Sequence, residues 1–365
     1  MLKKMLRFMA LRDRIMESNV LIEDFNNVLN SELDIDKFKN QHFFITGATG
    51  LIGSLLVKFL IYANKVKNLD IEIYAMIRNI NKAKKIYQDY DLSNVHFVIA
   101  HLGQNDLECD AQIDYIIHTA AVTQSKLMIE DPVGTIRTSV NGTEEVLKFA
   151  VSKGIKSMVY VSSMEVYGEI NSKEKVKEDD LGFIDLTSSR SCYSESKRMC
   201  ELLCTAYSDE YNIHVTIARL AQTFGAGILP TENRVFAQFA KSICNRRNII
   251  LHTAGRSEGN YVYTADAIKG LLFLLLKGTI KEAYNVSNEE NHMTIKEMAN
   301  LVINDFGSAN ERVIINIPKE DMGYAPDVRM WLSNKKIQDL GWRPTQDMFH
   351  SYQRMIKWMR EKNIS

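Results

Sequence analysis

The sequence predicts an α/β fold built on a doubly wound parallel sheet, because two kinds of segment alternate along the chain. Short apolar segments of strand length alternate with longer segments whose apolar residues recur at helical spacing. Such alternation produces a parallel sheet covered by helices on both faces, and right-handed crossovers make that sheet doubly wound. The alternation becomes less regular beyond Gly225.

The elements follow one another along the chain without internal repeats. Residues 1–40 contain neither Gly nor Pro and are predicted to form a helical N-terminal extension that packs against the protein itself or a second subunit. The six strands of the predicted sheet lie at residues 42–46, 71–77, 94–102, 113–121, 157–163 and 214–220. Helices are predicted at residues 54–67, 130–153 and 194–211. The later, less regular part has predicted helices at 233–246, 266–277 and 294–306 and strands at 248–253 and 283–287.

The composition is that of a soluble globular protein without a global charge bias. The 365 residues include 45 Lys and Arg and 45 Asp and Glu, so neither nucleic acid nor an anionic membrane is an expected partner. No apolar stretch has the length needed to span a bilayer. The five cysteines and eight histidines form no metal-binding pattern, so we predict no metal site, and reduced cysteines in a cytoplasmic protein.

A glycine turn connects the first strand to its helix. Gly47, Gly50 and Gly53 lie in the sequence GATGLIG, directly after the apolar strand. A phosphate group can approach such a turn closely because no Cβ obstructs it, and the following helix N-terminus offers free N–H groups. The turn therefore predicts a pyrophosphate-binding site for a dinucleotide.

The second strand ends in Arg78 rather than in an acid. NAD enzymes usually place a carboxylate there to bind the adenosine ribose. An arginine offers several planar donors that suit a 2′-phosphate. The expected cofactor is therefore NADP or NAD, with NADP favoured.

Tyr193 and Lys197 form a pair in the sequence YSESK. Four residues apart at a predicted helix start, they project from one face. An ammonium beside the phenol is expected to lower the pKa of Tyr193 and make proton transfer possible near neutral pH. Ser162 and Ser163 end the fifth strand, at the same sheet edge as the glycine turn, where a serine hydroxyl could hold a reacting oxygen.

Five motifs in this order resemble the extended short-chain dehydrogenases/reductases of the epimerase/dehydratase family: TGATGLIG, HTAA, VYVSSMEVYG, YSESK and LGWRP. The similarity runs from about residue 42 to the C-terminus. It implies a Rossmann-type domain at residues 41–222 and about 258–288, and a smaller C-terminal substrate-binding lobe at about 223–257 and 289–365. It also implies NAD(P) chemistry on a nucleotide-linked sugar.

The resemblance assigns roles to individual residues. It implies that Ser163, Tyr193 and Lys197 are catalytic and that Glu165 can act as an acid or base. Cofactor contacts are implied for Gly47, Thr49, Gly50, Leu51, Ile52, Gly53, Arg78, His101, Leu102, Ala120, Ala121, Tyr193 and Lys197. Substrate contacts are implied for Thr123, Ser163, Met164, Gln222, Arg256 and Arg329.

Several positions depart from the family pattern. Dehydratases of the family have an Asp-Glu pair where this sequence has Met164 and Glu165, and a thioether cannot donate a proton, so dehydration of the usual kind is disfavoured. A small residue followed by Glu resembles UDP-glucuronate decarboxylases, for which Arg329 would be the C-terminal arginine. An asparagine is replaced by Gln222, and the usual diphosphate-binding arginine by Gly259. Four arginines could replace it: Arg234, Arg246, Arg247 and Arg256.

The leading functional hypothesis is an NAD(P)-dependent oxidoreductase/epimerase acting on a nucleotide-linked sugar. Three alternatives stay open: an NADPH-dependent reductase of a nucleotide-linked keto sugar or ketose, a UDP-glucuronate-decarboxylase-like enzyme, and a non-catalytic dinucleotide-binding regulator. The resemblance also implies a homodimer formed through the helices at 130–153 and 194–211.

Overall fold

A computed structural model describes residues 18–170, 173–318 and 328–364. Its centre is a sheet of seven parallel strands in the order β10-β6-β5-β4-β1-β2-β3. The strands are β1 (His42–Thr46), β2 (Glu72–Ile77), β3 (Val95–Ile99), β4 (Tyr115–His118), β5 (Ser157–Ser163), β6 (Val215–Leu220) and β10 (Ala283–Val286). The parallel α/β sheet expected from the alternating pattern is confirmed.

Helices cover this sheet on both faces. Along the chain they are α1 (Asn19–Leu29), α2 (Leu51–Lys67), α3 (Ile80–Ile86), α4 (Ser125–Glu130), α5 (Pro132–Lys153), α6 (Cys192–Tyr211) and α8 (Thr264–Lys277). One apolar core contains β1 residues such as Phe43 with α2 and α8, and a second contains Phe44 with α5 and α6. The alternation of Phe43 and Phe44 between the two cores follows from the two-residue period of a strand.

The sheet order reverses between β1 and β4. From β1 the chain continues to β2 and β3 on one side, and it then returns to β4, β5 and β6 on the other. Ligands of open parallel sheets bind at the carboxyl ends of the strands beside such a reversal. The ends of β1, β4 and β5 therefore form the edge at which a site is expected.

Smaller sheets lie beyond the main one. Strands β7 (Gln222–Phe224), β9 (Glu258–Tyr263) and β11 (Asn288–Thr294) form a three-stranded sheet, while β8 (Ile249–Leu251) pairs with β12 (Val313–Ile315). They are accompanied by helices α7 (Val235–Cys244), α9 (Ile295–Phe306), α10 (Lys335–Asp339) and α11 (Met348–Glu361). The proposed division of the chain into a dinucleotide domain and a substrate lobe stays a prediction.

The N-terminal extension is described from Ser18 onwards, so the earlier part of the predicted helical extension lies outside the described residues. Helix α1 packs against α2, α8 and α11, and a short 3₁₀ turn follows at Ile35–Phe38. Asp24 of α1 accepts hydrogen bonds from the hydroxyl of Tyr263 at 2.7 Å and from Nε of Arg354 at 2.8 Å. These contacts attach the extension to the end of β9 and to α11. Over the ranges just given, no helix combines the length and apolarity needed to cross a membrane.

Candidate active site

The glycine turn is held tightly against the end of β4. Gly47 has a φ of +64°, and a Cβ there would lie 2.8 Å from Oγ1 of Thr119 and 2.9 Å from the Ala120 Cα. A Cβ on Gly53 would lie 2.8 Å from the carbonyl carbon of Gly47. Helix α2 begins after Gly50, and no side chain caps it. Its first N–H groups are therefore suited to hold a phosphate, and the turn fits the pyrophosphate of a dinucleotide.

An open cleft of about 460 Å³ extends from this turn across the carboxyl ends of the sheet strands. The residues predicted to bind a cofactor all line it, namely Gly47, Thr49, Gly50, Leu51, Ile52, Gly53, Arg78, His101, Leu102, Ala120, Ala121, Tyr193 and Lys197. The cleft thus joins the glycine turn to the tyrosine and lysine on α6.

Ser163, Tyr193 and Lys197 all line this cleft. Ser163 is the last residue of β5, and Tyr193 and Lys197 lie in the first turns of α6. The Lys197 Nζ lies 5.9 Å from the centroid of the Tyr193 ring and donates a hydrogen bond of 2.7 Å to the Val161 carbonyl. The structure therefore brings a hydroxyl, a phenol and an amine to one place.

The pKa values at this place differ from the sequence-based expectation. The pKa of Tyr193 is raised to about 12, mainly by burial and also by the charge of Glu165, although a hydrogen bond with Ser163 lowers it. Burial also lowers the pKa of Lys197 to about 8. The pKa of Tyr193 is therefore raised rather than lowered in this structure, because desolvation outweighs the hydrogen bond with Ser163 and the charges of Arg234 and Arg190.

Glu165 stands beside Tyr193 rather than in the lining of the cleft. It lies in the 3₁₀ turn Met164–Tyr167, where its backbone N–H donates to the Ser163 Oγ at 3.2 Å. Its carboxylate lies 3.3 Å from Nη2 of Arg190 and accepts a hydrogen bond of 3.4 Å from the Ser194 hydroxyl. A carboxylate, a phenol and an arginine thus lie together at the start of α6.

The predicted substrate residues separate into two groups. Thr123 and Ser163 line the cleft, whereas Met164, Gln222, Arg256 and Arg329 are not part of its lining in the described structure. Gln222 begins β7, and Met164 packs against the core. Arg329 forms an ion pair with Glu258, with Nε 3.1 Å from the carboxylate oxygen Oε2.

Two cations of the cleft were not singled out by sequence reasoning. Lys82, in the first turn of α3, lines the cleft together with Arg78. Its position four residues after Arg78 is the signal that could have identified it. Arg234 was one of four possible diphosphate-binding arginines, and among those four it is the one that lines the cleft. Glu232 holds its guanidinium, with Nη2 to Oε2 at 2.6 Å.

His118 is a core residue, as its position in a strand predicts. It is 2% exposed, and its ring nitrogens lie 2.7 Å from Oγ1 of Thr46 and 3.3 Å from Oγ1 of Thr143. Burial lowers its pKa to about 3, so the ring is neutral. All five cysteines are free thiols, and no cluster of three potential metal ligands exists among the described residues.

Known proteins of three activities resemble this chain over most of its length. It is 25% identical to UDP-glucuronic acid decarboxylase 1 of Xenopus tropicalis, covering 88% of this chain and 73% of that protein. It is 26% identical to the human dTDP-D-glucose 4,6-dehydratase, covering 88% and 90%. The solved structure of UDP-glucuronic acid 4-epimerase from Bacillus cereus, in complex with UDP-glucuronic acid and NAD, shares the fold with a TM-score of 0.71 at 20% identity, covering 88% and 100%.

The family model described as the NAD dependent epimerase/dehydratase family matches residues 43–287. This match covers the glycine turn, the fifth strand and the Tyr/Lys helix, and it confirms the predicted enzyme class and its nicotinamide cofactor at the level of the family. The chain belongs to the NAD-dependent epimerase/dehydratase family.

Proposed function

We propose that this enzyme oxidises a hydroxyl-bearing carbon of a nucleotide-linked sugar and returns it with altered stereochemistry, as an epimerase. The observation that carries the proposal is that Ser163, Tyr193 and Lys197 line the same cleft as the glycine turn. A proton-transfer group and a dinucleotide-binding turn in one cleft are what such a reaction requires.

The proton chemistry belongs to three side chains. Tyr193 Oη is placed to take the proton of a sugar hydroxyl and later return it. Ser163 Oγ, which is hydrogen-bonded with Tyr193, would hold the same sugar oxygen. Lys197 lies close enough to favour the phenolate electrostatically, at 5.9 Å from the ring centroid.

The cofactor fits the residues present. The glycine turn and the uncapped N-terminus of α2 would hold the pyrophosphate, and Ala120 and Ala121 line the cleft beside that turn. When bound, a nicotinamide dinucleotide supplies the hydride acceptor and donor of the reaction. Arg234 would bind the substrate diphosphate, because it lines the cleft and its positive charge lowers the pKa of Tyr193.

A preference for NADP is part of the proposal. Arg78 and Lys82 both line the cleft at the carboxyl end of β2, where the adenosine ribose of a dinucleotide binds in this fold. Two cations there suit a 2′-phosphate better than two free ribose hydroxyls.

Decarboxylation of a nucleotide-linked uronate is the second candidate. Glu165 lies close enough to Tyr193 to raise its pKa, so it could act as an additional acid or base on the same intermediate. Similarity to the frog UDP-glucuronic acid decarboxylase supports this candidate, although Arg329 is bound to Glu258 outside the cleft lining.

A panel of nucleotide sugars, nucleotide-linked uronates and keto sugars, each with NAD(H) and NADP(H), tests the proposal. An epimerase yields a product of unchanged mass with no net change in cofactor, a decarboxylase releases carbon dioxide, and a reductase consumes reduced cofactor stoichiometrically. Absence of turnover with the whole panel, together with tight dinucleotide binding, would favour a non-catalytic regulator.

A homodimer is also proposed. Helices α5 and α6 pack side by side, and each carries exposed apolar side chains, namely Val133, Ile136, Met199 and Leu202. A second subunit would cover such exposed apolar side chains on two adjoining helices. Light scattering is expected to give a dimer that Leu202→Glu converts to a monomer. A wild-type monomer at micromolar concentration would contradict the proposal.

The cytoplasmic location stays a prediction.

A further inference from the structure

Glu165 and Arg190 form an ion pair whose charges act on Tyr193. Glu165 belongs to the 3₁₀ turn that follows β5, and Arg190 belongs to the 3₁₀ turn Ser189–Ser191 that leads into α6. Nη2 of Arg190 lies 3.3 Å from Oε2 of Glu165, and the hydroxyl of Ser194 lies 3.4 Å from the same oxygen. Residues three positions before and one position after Tyr193 therefore contact one carboxylate oxygen.

Tyr193 is surrounded by groups from several elements that carry or can carry charge. Ser163 ends β5, and Lys197 lies one turn later on α6. The charged or titratable groups that face Tyr193 or its immediate neighbours are Tyr160, Glu165, Arg190, Cys192, Lys197 and Arg234. Glu165 is the one carboxylate among these named groups.

The charges of these neighbours oppose one another. The negative charge of Glu165 raises the pKa of Tyr193, and Arg234 and Arg190 lower it. Glu165 and Arg190 are each 39% exposed, so their ion pair contributes little to folding. A pair that adds little stability but acts on a proton-transfer group is better explained by its effect on that group.

We propose that Arg190 is a positioning residue, which fixes the orientation of the Glu165 carboxylate and offsets its negative charge at the Tyr193 hydroxyl. The inference rests on the proposed function, because it assumes that Tyr193 exchanges a proton with the substrate. It goes beyond that function in assigning a role to a residue outside the tyrosine–lysine motif.

The pH dependence of kcat/KM for substrate oxidation tests this role. Removal of the positive charge in Arg190→Gln leaves Glu165 unbalanced, so the pKa of Tyr193 rises and the acidic limb moves to higher pH. A shift of about one pH unit is expected, which corresponds to about tenfold lower kcat/KM on the acidic side. Arg190→Lys, which keeps the charge, should restore most of the wild-type profile.

Lys148→Gln is the matched control. It removes one cation from another exposed ion pair, with Glu144 at 2.7 Å on α5, and no shift of the acidic limb is expected. An Arg190→Gln profile that coincides with wild type, or that moves no more than the Lys148→Gln profile, would overturn the inference.

Tyr193→Phe separates this inference from the proposed function. If Tyr193→Phe keeps wild-type turnover, the proposed proton transfer itself is wrong. If Tyr193→Phe loses turnover while Arg190→Gln leaves the profile unmoved, the function stands and the role of Arg190 alone is refuted. Near-wild-type thermal unfolding of Arg190→Gln shows that the comparison is made between folded proteins.

Discussion

The Lys197 ammonium donates a hydrogen bond of 2.7 Å to the carbonyl of Val161, the residue two positions before the end of β5. This bond ties helix α6 to the strand that carries Ser163, and it fixes the distance between the amine and the Tyr193 ring. The side chain is only 3% exposed, which explains why burial lowers its pKa to about 8.

The buried amine makes the stability of this protein depend on pH. The unfolded chain has the ordinary lysine pKa of 10.5, so the folded state binds its proton less tightly and the cost of burial is greatest below pH 8. That cost disappears as the pH rises towards 10.5. The free energy of unfolding of wild type relative to Lys197→Met should therefore increase between pH 7 and 10, by up to about 3 kcal/mol. Denaturant titrations at several pH values measure this difference in the free energy of unfolding. A difference that does not change with pH would contradict the lowered pKa of Lys197.

The glycine turn should not tolerate even a methyl group at residue 53. A Cβ there would lie 2.8 Å from the carbonyl carbon of Gly47, so Gly53→Ala must displace the turn or the start of α2. We expect at least about tenfold weaker binding of the dinucleotide and a loss of stability of about 1–3 kcal/mol. Gly154→Ala is the control, because its Cβ would meet nothing within 4 Å although its φ is +58°. Equal cofactor affinity in the two variants would contradict the assigned role.

Cofactor choice should depend on the two cations at the end of β2. Replacing Arg78 and Lys82 by serine is expected to weaken NADP binding about 10- to 100-fold, since two charge-assisted contacts to a phosphate are lost. NAD binding should change little. Lys85→Ser, an exposed cation on the same helix outside the cleft lining, serves as control. Fluorescence titrations with both dinucleotides give the ratio, and an unchanged ratio would show that NADP is not favoured by these residues.

The attachment of α1 should be a substantial part of the folding energy. Asp24 is buried against Tyr263 and Arg354, so Asp24→Ala leaves the Tyr263 hydroxyl without its acceptor and removes the buried partner of Arg354, which should cost about 3 kcal/mol. Glu23→Ala removes only the 47% exposed partner of Arg354 and should cost less than about 1 kcal/mol. Urea unfolding measures both free energies. Similar losses in the two variants would contradict a buried attachment.

Burial also raises the pKa of Asp24 to about 7. Because this value lies above that of the unfolded chain, the folded state binds the proton more tightly, and stability increases as the pH falls from 7 towards 4. The free energy of unfolding of wild type relative to Asp24→Asn should therefore increase as the pH falls from 7 to 4. A constant difference would show that Asp24 is ionised throughout.

The fold and the location of the site were both predictable from sequence. Strand-length apolar segments alternating with helices indicated the parallel sheet, and the carboxyl ends of its strands necessarily bring Gly47 and Ser163 to one edge. The direction of the pKa shift at Tyr193 was not predictable, because spacing identifies a neighbouring amine but not the degree of burial.

Contacts between loops were also beyond sequence reasoning. Glu165 and Arg190 are 25 positions apart and meet only because the turns after β5 and before α6 converge. Arg234 could not be distinguished from three other arginines, because its place in the cleft depends on the path of the chain between β7 and α7. Residues that meet through such irregular segments leave no periodic signal.

Turnover by Tyr193→Phe, with whichever sugar nucleotide the panel identifies, tests the central claim most directly. Loss of the phenolic oxygen should lower kcat by at least about 100-fold while dinucleotide affinity, measured by fluorescence titration, stays within about twofold of wild type. Turnover equal to wild type would contradict the account, because the proton would then be transferred by another group.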